Sequence, residues 1–145
     1  MHNSHSVSAD SVALYFNPRR KVFFVAQERR RGRGKAETGE LLEIVDSDFD
    51  SRVCAVVVSC LDKFQANAYS QEEVGHRSPV KTREFIRQHL GVNVERTPTG
   101  DFIIQPLHHN EGGYTGREEE QIVLGKNEVP GRLSSTLRSA FQIAT

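Results

Sequence analysis

The sequence has no tryptophan, a single methionine and only two cysteines, and its positive and negative charges cancel. Each scarcity excludes something. Cys54 and Cys60 lie six positions apart inside an apolar run. That is neither a disulfide framework nor a zinc motif, and the expectation is two small buried apolar side chains in a reducing compartment. No stretch approaches the ~20 consecutive apolar residues of a membrane span. The zero net charge, nineteen Lys plus Arg against nineteen Asp plus Glu, excludes a uniformly basic nucleic-acid binder and an acidic tail protein. It says nothing about local patches.

The 145 residues suit one domain, which buries roughly 68–70% of the unfolded chain's surface at this length. Residues 1–10 are polar and are expected to form a flexible leader rather than a secretory signal. Residues 11–145 are expected to form the domain. Val12 to Phe16 and Lys21 to Gln27 read as a hairpin around the turn Asn17-Pro18-Arg19-Arg20. Arg29 to Gly39, with three glycines and no large apolar group, reads as a loop. Glu40 to Asp46 reads as a third strand, and Ser47, Asp48 and Asp50 as possible helix caps.

In Arg52 to Phe64, propensity and period conflict. Three successive valines favour a strand. Yet Val53, Val56, Val57, Cys60, Leu61 and Phe64 trace one helical face over three turns, and the period decides for a helix. Gln65 to Arg77 reads as a polar connection. A helix is expected from Ser78-Pro79 to a stop at Gly91. Val92–Arg96, Asp101–Leu107 and Glu118–Leu124 read as three strands, with Pro106 marking an edge or a strand end. Leu133, Leu137, Ala140, Phe141 and Ala144 mark a last amphipathic helix, with Pro130 near its first turn. The expected fold is α+β: a mainly antiparallel twisted sheet of about six strands with three helices packed on it, in the order β-β-β-α-α-β-β-β-α.

The sequence holds no phosphate-binding loop, dinucleotide fingerprint, HExxH, GxSxG or CxxC motif. The expectation is no enzyme, no catalytic residue, no metal and no cofactor. His108-His109 beside Glu111 reads as a solvated loop rather than a metal site, which would need a closed ligand set. His76 and His89 show no carboxylate partner. Two charge blocks stand out. Arg29-Arg30-Arg31-Gly32-Arg33-Gly34-Lys35 follows Arg19, Arg20 and Lys21. It is basic, but has no interleaved aromatic to stack on bases. The acidic block Glu37, Glu40, Glu43, Asp46, Asp48, Asp50 follows at once, and Glu118-Glu119-Glu120 forms a second near Glu111. The bland reading of both is solvated surface. The functional one is electrostatic complementarity to a partner.

The run "YFNPRRKVFFVAQERRRGRGKAETGELLEI" resembles the start of the contact-dependent growth inhibition immunity proteins. The later blocks "VKTREFIRQHLGV", "FIIQPLHHNEGGYTG" and "QIVLGKNEVPGRLSSTLRSAF" are similar to that family's later blocks, in the same order across roughly residues 12–142. Gly112-Gly113-Tyr114 after Pro106-Leu107 is the most distinctive piece. The resemblance implies a twisted sheet with helices. It also implies a cytoplasmic protein that neutralises the C-terminal toxin domain of a large exported effector, often a nuclease, by occlusion. It transfers no binding residue, because the contact surface varies with the toxin. The expected toxin-binding set is therefore this chain's own acidic residues: Glu37, Glu40, Glu43, Asp46, Asp48, Asp50, Glu118, Glu119 and Glu120. Tyr114 and Tyr15 are candidate anchors. Neither a membrane nor direct nucleic-acid contact is expected. The alternative is a small nucleic-acid-binding protein using the Arg-rich segment 29–35.

Overall fold

In the computed structural model, residues 10–31, 34–66 and 82–145 are described. Most of the expected leader, Arg33, and the Gln65–Arg77 connection beyond Ala66 with its Ser78-Pro79 helix start lie outside them. The described elements are β1 (Asp10–Asn17), β2 (Val22–Arg31), β3 (Gly34–Val45), α1 (Phe49–Ala66), α2 (Arg83–Gln88), β4 (Leu90–Arg96), β5 (Phe102–Asn110), β6 (Gly113–Gly116), β7 (Ile122–Leu124) and α3 (Val129–Ile143). The fold is α+β, one antiparallel sheet ordered β3-β2-β1-β4-β5-β6, with β7 also paired to β5.

The helical reading of Arg52 to Phe64 is correct, and the helix starts earlier, at Phe49. Val53, Val57, Cys60, Leu61 and Phe64 are buried, and so is Phe49. The last helix buries Val129, Leu133, Leu137, Ala140 and Phe141, with Pro130 in its first turn. Both helices cover one face of the sheet, where Val12, Leu14, Val25, Ile44, Val92, Val94 and Ile104 alternate inward. Each such fully buried aliphatic side chain contributes roughly 1.5–3 kcal/mol. Phe23 stacks on Phe49 at 3.9 Å and meets Phe141 edge-on at 5.4 Å, joining strand to both helices. Cys54 and Cys60 are free, and burial pushes both thiols up.

The opposite face carries a smaller cluster: Ala13, Tyr15 and Ala26 with Phe24, Leu41, Phe85 and Tyr114. Its cover is α2. Six residues cannot hold a helix alone, so tertiary contacts must fix it. Phe85 meets the Tyr15 ring edge-on at 5.4 Å and stacks on His89 at 3.7 Å.

Several boundaries differ from expectation. Arg29 to Gly39 is not one loop. β2 runs to Arg31 and β3 starts at Gly34, because a hairpin ladder needs backbone groups rather than apolar side chains. Asp46 to Asp48 form a 3-10 turn rather than strand and cap. Thr82 caps α2 through its Oγ1 on the Phe85 N–H. The helix ends at His89, so Gly91 is a β4 residue and not the stop. Glu118 to Glu120 form a 3-10 turn between two short strands, β6 and β7, which brings the strand count to seven.

Pro106 is neither at an edge nor at a strand end. It pairs with Val92 in β4, and on its other flank β7 stops opposite Ile104 while β6 starts opposite Leu107. Gln105 Nε2 fills that gap, donating to the carbonyls of Pro106 and Arg117 at 3.2 and 2.9 Å. No ladder partner therefore waits there for the proline's missing N–H.

Candidate functional site

The acidic residues do not form one patch. Glu37, Glu40 and Glu43 lie along β3, at one edge of the sheet. Glu118, Glu119 and Glu120 lie beside β6 and β7, at the other. Five strand spacings separate these edges, roughly 24 Å at the usual interstrand distance.

The β3 block itself divides. Glu43 is exposed and stands 3.9 Å from Arg20. Asp48 is exposed. Asp46 and Asp50 are bound internally: Arg138 Nη1 donates to Asp46 Oδ1 at 3.0 Å and Arg138 Nε to Asp50 Oδ1 at 2.9 Å. Ser134 Oγ also donates to Asp50. The hydrogen bond from Arg138 holds the Asp50 carboxyl below its ordinary value, and Asp50 in turn raises the guanidinium. Arg138 lies over the Phe49 ring, 4.9 Å from its centroid. These two aspartates fasten α3 to the start of α1.

Glu37 and Glu40 are placed by their backbone, and their side chains lie outside the description. The register sets Glu28 opposite Glu37 and Arg30 opposite Lys35. This outer arm of the β2–β3 hairpin lies beyond the β1–β2 pairing, which stops at Ala13↔Ala26. Among the described residues, β3, twelve residues long, pairs only with β2.

At the other edge, Glu118 and Glu119 are exposed, but Glu120 is engaged. Its Oε1 lies 2.6 Å from His108 Nε2, and Thr145 Oγ1 lies 2.6 Å from His108 Nδ1. His108 therefore corrects the loop reading: it sits on β5 and is 5% exposed. Carboxylate, imidazole and hydroxyl tie the 3-10 turn, β5 and the residues after α3 together. His109 N–H and Leu107 C=O bond the Thr145 backbone in support. Among the described residues, no three His, Cys, Asp or Glu groups could hold a metal ion.

The two tyrosines proposed as anchors do come together, with ring centroids 5.6 Å apart, but as internal packing. Tyr15 is 6% exposed. Tyr114 is half-buried, and its hydroxyl donates to the carbonyls of His89 and Ile86 at 2.9 and 3.2 Å. His109 Nε2 donates to the same two carbonyls, at 2.9 and 2.6 Å. This lock adds side-chain donors at the end of α2, to the Ile86 carbonyl, which also accepts the His89 N–H, and to the His89 carbonyl just beyond the helix. Sequence reasoning missed it, although the Gly-Gly-Tyr block already marked the segment.

Between α2 and the β5–β6 turn lies a cleft of about 580 Å³. Arg83 and Arg87 form one wall. His109, Glu111, Gly112 and Gly113 form the other. Beside α2, His89 Nδ1 donates to the Phe85 carbonyl at 2.8 Å. Its buried Nε2 has no partner among the described residues, and burial pushes its pKa down.

No helix among the described residues is long and apolar enough to cross a membrane. No protein-family model and no curated protein matches the chain. In shape it is similar to a solved protein of unknown function from Neisseria meningitidis, with a TM-score of 0.71, 11% identity and 100% of both chains covered. At that identity the likeness establishes a shared fold.

Proposed function

We propose that this chain is an immunity protein, which binds and neutralises the C-terminal toxin domain of a contact-dependent growth inhibition effector in the cytoplasm. It acts by occlusion and carries no catalytic residue. The ordered sequence blocks support the family. The observation that carries the binding surface is the β3 edge. Among the described residues, no strand pairs with the outer side of its twelve-residue backbone, and the strand bears Glu37, Glu40 and Glu43. A long open edge is an aggregation hazard that proteins normally shorten or cover, and a docked partner covers it.

The toxin-binding set is accordingly narrower than the acidic residues as a whole. Glu37, Glu40, Glu43 and Asp48 remain in it. Asp46, Asp50 and Glu120 have internal partners, and Glu118 and Glu119 belong to the far edge. Co-expression with the toxin domain of a neighbouring effector gene tests this. Glu37→Lys with Glu40→Lys and Glu43→Lys should abolish protection, while Glu118→Lys with Glu119→Lys should preserve it. Full protection by the β3 variant would move the interface elsewhere.

One observation favours a second reading. Arg29, Arg30, Arg31 and Lys35 lie in sequence at the end of the β2–β3 hairpin, with Arg30 paired in register to Lys35. Phosphates would neutralise this run of basic residues, and nucleic-acid binding would then weaken steeply with salt. Salt-insensitive or absent binding to RNA and DNA removes this reading.

A further inference from the structure

The α2 cleft has a chemistry different from that of the β3 edge. Arg83 and Arg87 stand four residues apart, on one side of the helix. Both are exposed, and neither has an ion pair among the described residues. Arg96 is engaged by Asp10 and Asp62, Arg138 by Asp46 and Asp50 and Arg132 by Glu128, whereas Arg19 and Arg52, like Arg83 and Arg87, have no ion pair among the described residues but do not line this cleft.

The opposite wall is held open. A Cβ added at Gly112 or Gly113 would meet nothing within 4 Å. Neither glycine has a positive φ. Neither packing nor backbone conformation requires glycine at these positions, and what the two glycines supply is room. The lock from His109 and Tyr114 to α2 keeps the two walls in fixed relation.

We infer that this cleft receives an acidic side chain from an extended segment of a protein partner. The two guanidiniums supply the counter-charge, as paired donors suited to a carboxylate. Glu111, on the facing wall, selects against a compact multiply charged anion such as free phosphate. It is compatible with a polypeptide, whose amides and neighbouring side chains it can accept from. The volume lies in the range of ligand sites, and a side chain with its flanking backbone fits it. The inference deepens the immunity reading and rests on its protein partner: the toxin would be gripped by its basic surface at β3 and by an acid at α2.

The test titrates the full chain, followed by NMR, with a blocked peptide carrying two glutamates, with its glutamine counterpart and with inorganic phosphate. The glutamate peptide should shift the amides of His109, Glu111, Gly112 and Gly113 saturably. The glutamine peptide should bind about tenfold more weakly, and phosphate should be weaker than the glutamate peptide. Arg83→Gln with Arg87→Gln should lose the response at unchanged melting temperature, since both side chains are exposed. Equal binding of the two peptides, tighter binding of phosphate, or a full response in the double variant would each overturn the inference.

Protection in the co-expression assay separates the two claims. A double variant that loses the peptide but protects fully sinks the role of the cleft in toxin binding and leaves the immunity reading. Failure of the unaltered chain to protect, with the peptide response intact, sinks the immunity reading and leaves the site.

Discussion

Arg138, on the last helix, holds Asp46, ninety-two residues earlier, with a 3.0 Å hydrogen bond. The same guanidinium holds Asp50 and lies over Phe49. Arg138→Ala should therefore loosen α3 from the start of α1. The side chain is 37% exposed, so solvent discounts its ion pairs. We expect about 1 kcal/mol of destabilisation, much of it lost stem packing. Urea unfolding of the variant measures this, and an unchanged midpoint would refute it. Asp50, held low by Arg138, adds stability above its unfolded value, and that contribution disappears as pH falls through the folded one.

His89 makes a separate prediction about pH. Burial depresses its folded pKa below the ordinary 6.5. The unfolded chain then takes up this proton first. Stability from His89 is complete above 6.5 and declines as pH falls below it toward the folded value. His89→Phe keeps a ring beside Phe85 and removes the titration. The loss of stability between neutral pH and about pH 5 should be smaller in the variant than in the parent. Equal losses would mean that His89 does not titrate differently on folding.

Gly116 and Gly113 should differ in their response to alanine. A Cβ at Gly116 would stand 2.7 Å from Gln105 Cγ. Gln105 must then move, and its bond to the Arg117 carbonyl is at risk. We expect Gly116→Ala to cost about 1 kcal/mol, and Gly113→Ala, which meets no atom, to change the melting temperature little. Adding Gln105→Ala should recover part of the Gly116→Ala loss, because the clash disappears with the side chain.

Tyr114→Phe removes the hydroxyl bonded to the Ile86 and His89 carbonyls and keeps the ring packing. His109 still serves both carbonyls, so the loss should be about 0.5–1.5 kcal/mol. It should be local as well. Hydrogen exchange should quicken in α2 and leave α1 unaffected; uniform acceleration across both would show a global effect instead.

Leu137 is fully buried beneath the sheet. Leu137→Ala should cost about 2–5 kcal/mol through lost burial and the cavity left behind. A midpoint within error of the parent would contradict the described packing.

The long helices were legible because burial wrote its period into the residues. Val53, Val57, Cys60 and Leu61 in α1, and Leu133, Leu137, Ala140 and Phe141 in α3, repeat as their turns do. The outer arm of the β2–β3 hairpin was not, because backbone ladders leave no apolar alternation in Arg29 to Arg31. Pro106 misled for a related reason. Its local rule is correct, but whether a neighbouring strand stands opposite depends on where β6 and β7 fall. The acidic run showed the limits of proximity in sequence. Glu43 and Asp46 are near neighbours, yet only Asp46 lies under Arg138, whose position depends on the whole fold. The α2 cleft was half visible, as the Gly-Gly-Tyr block, while its arginine wall came from a helix read only for its start and stop.

The two sheet edges are unequal. One is cut into segments of four and three residues, β6 and β7, with a turn between them. The other, β3, is one strand of twelve, with a register shift against β2 between Ala26 and Glu28. A molecule with a single long sticky margin can meet another copy margin to margin once, and the pair then has no such margin left. Among the described residues, edge-wise growth therefore stops at two, and whatever occupies β3 closes that route altogether.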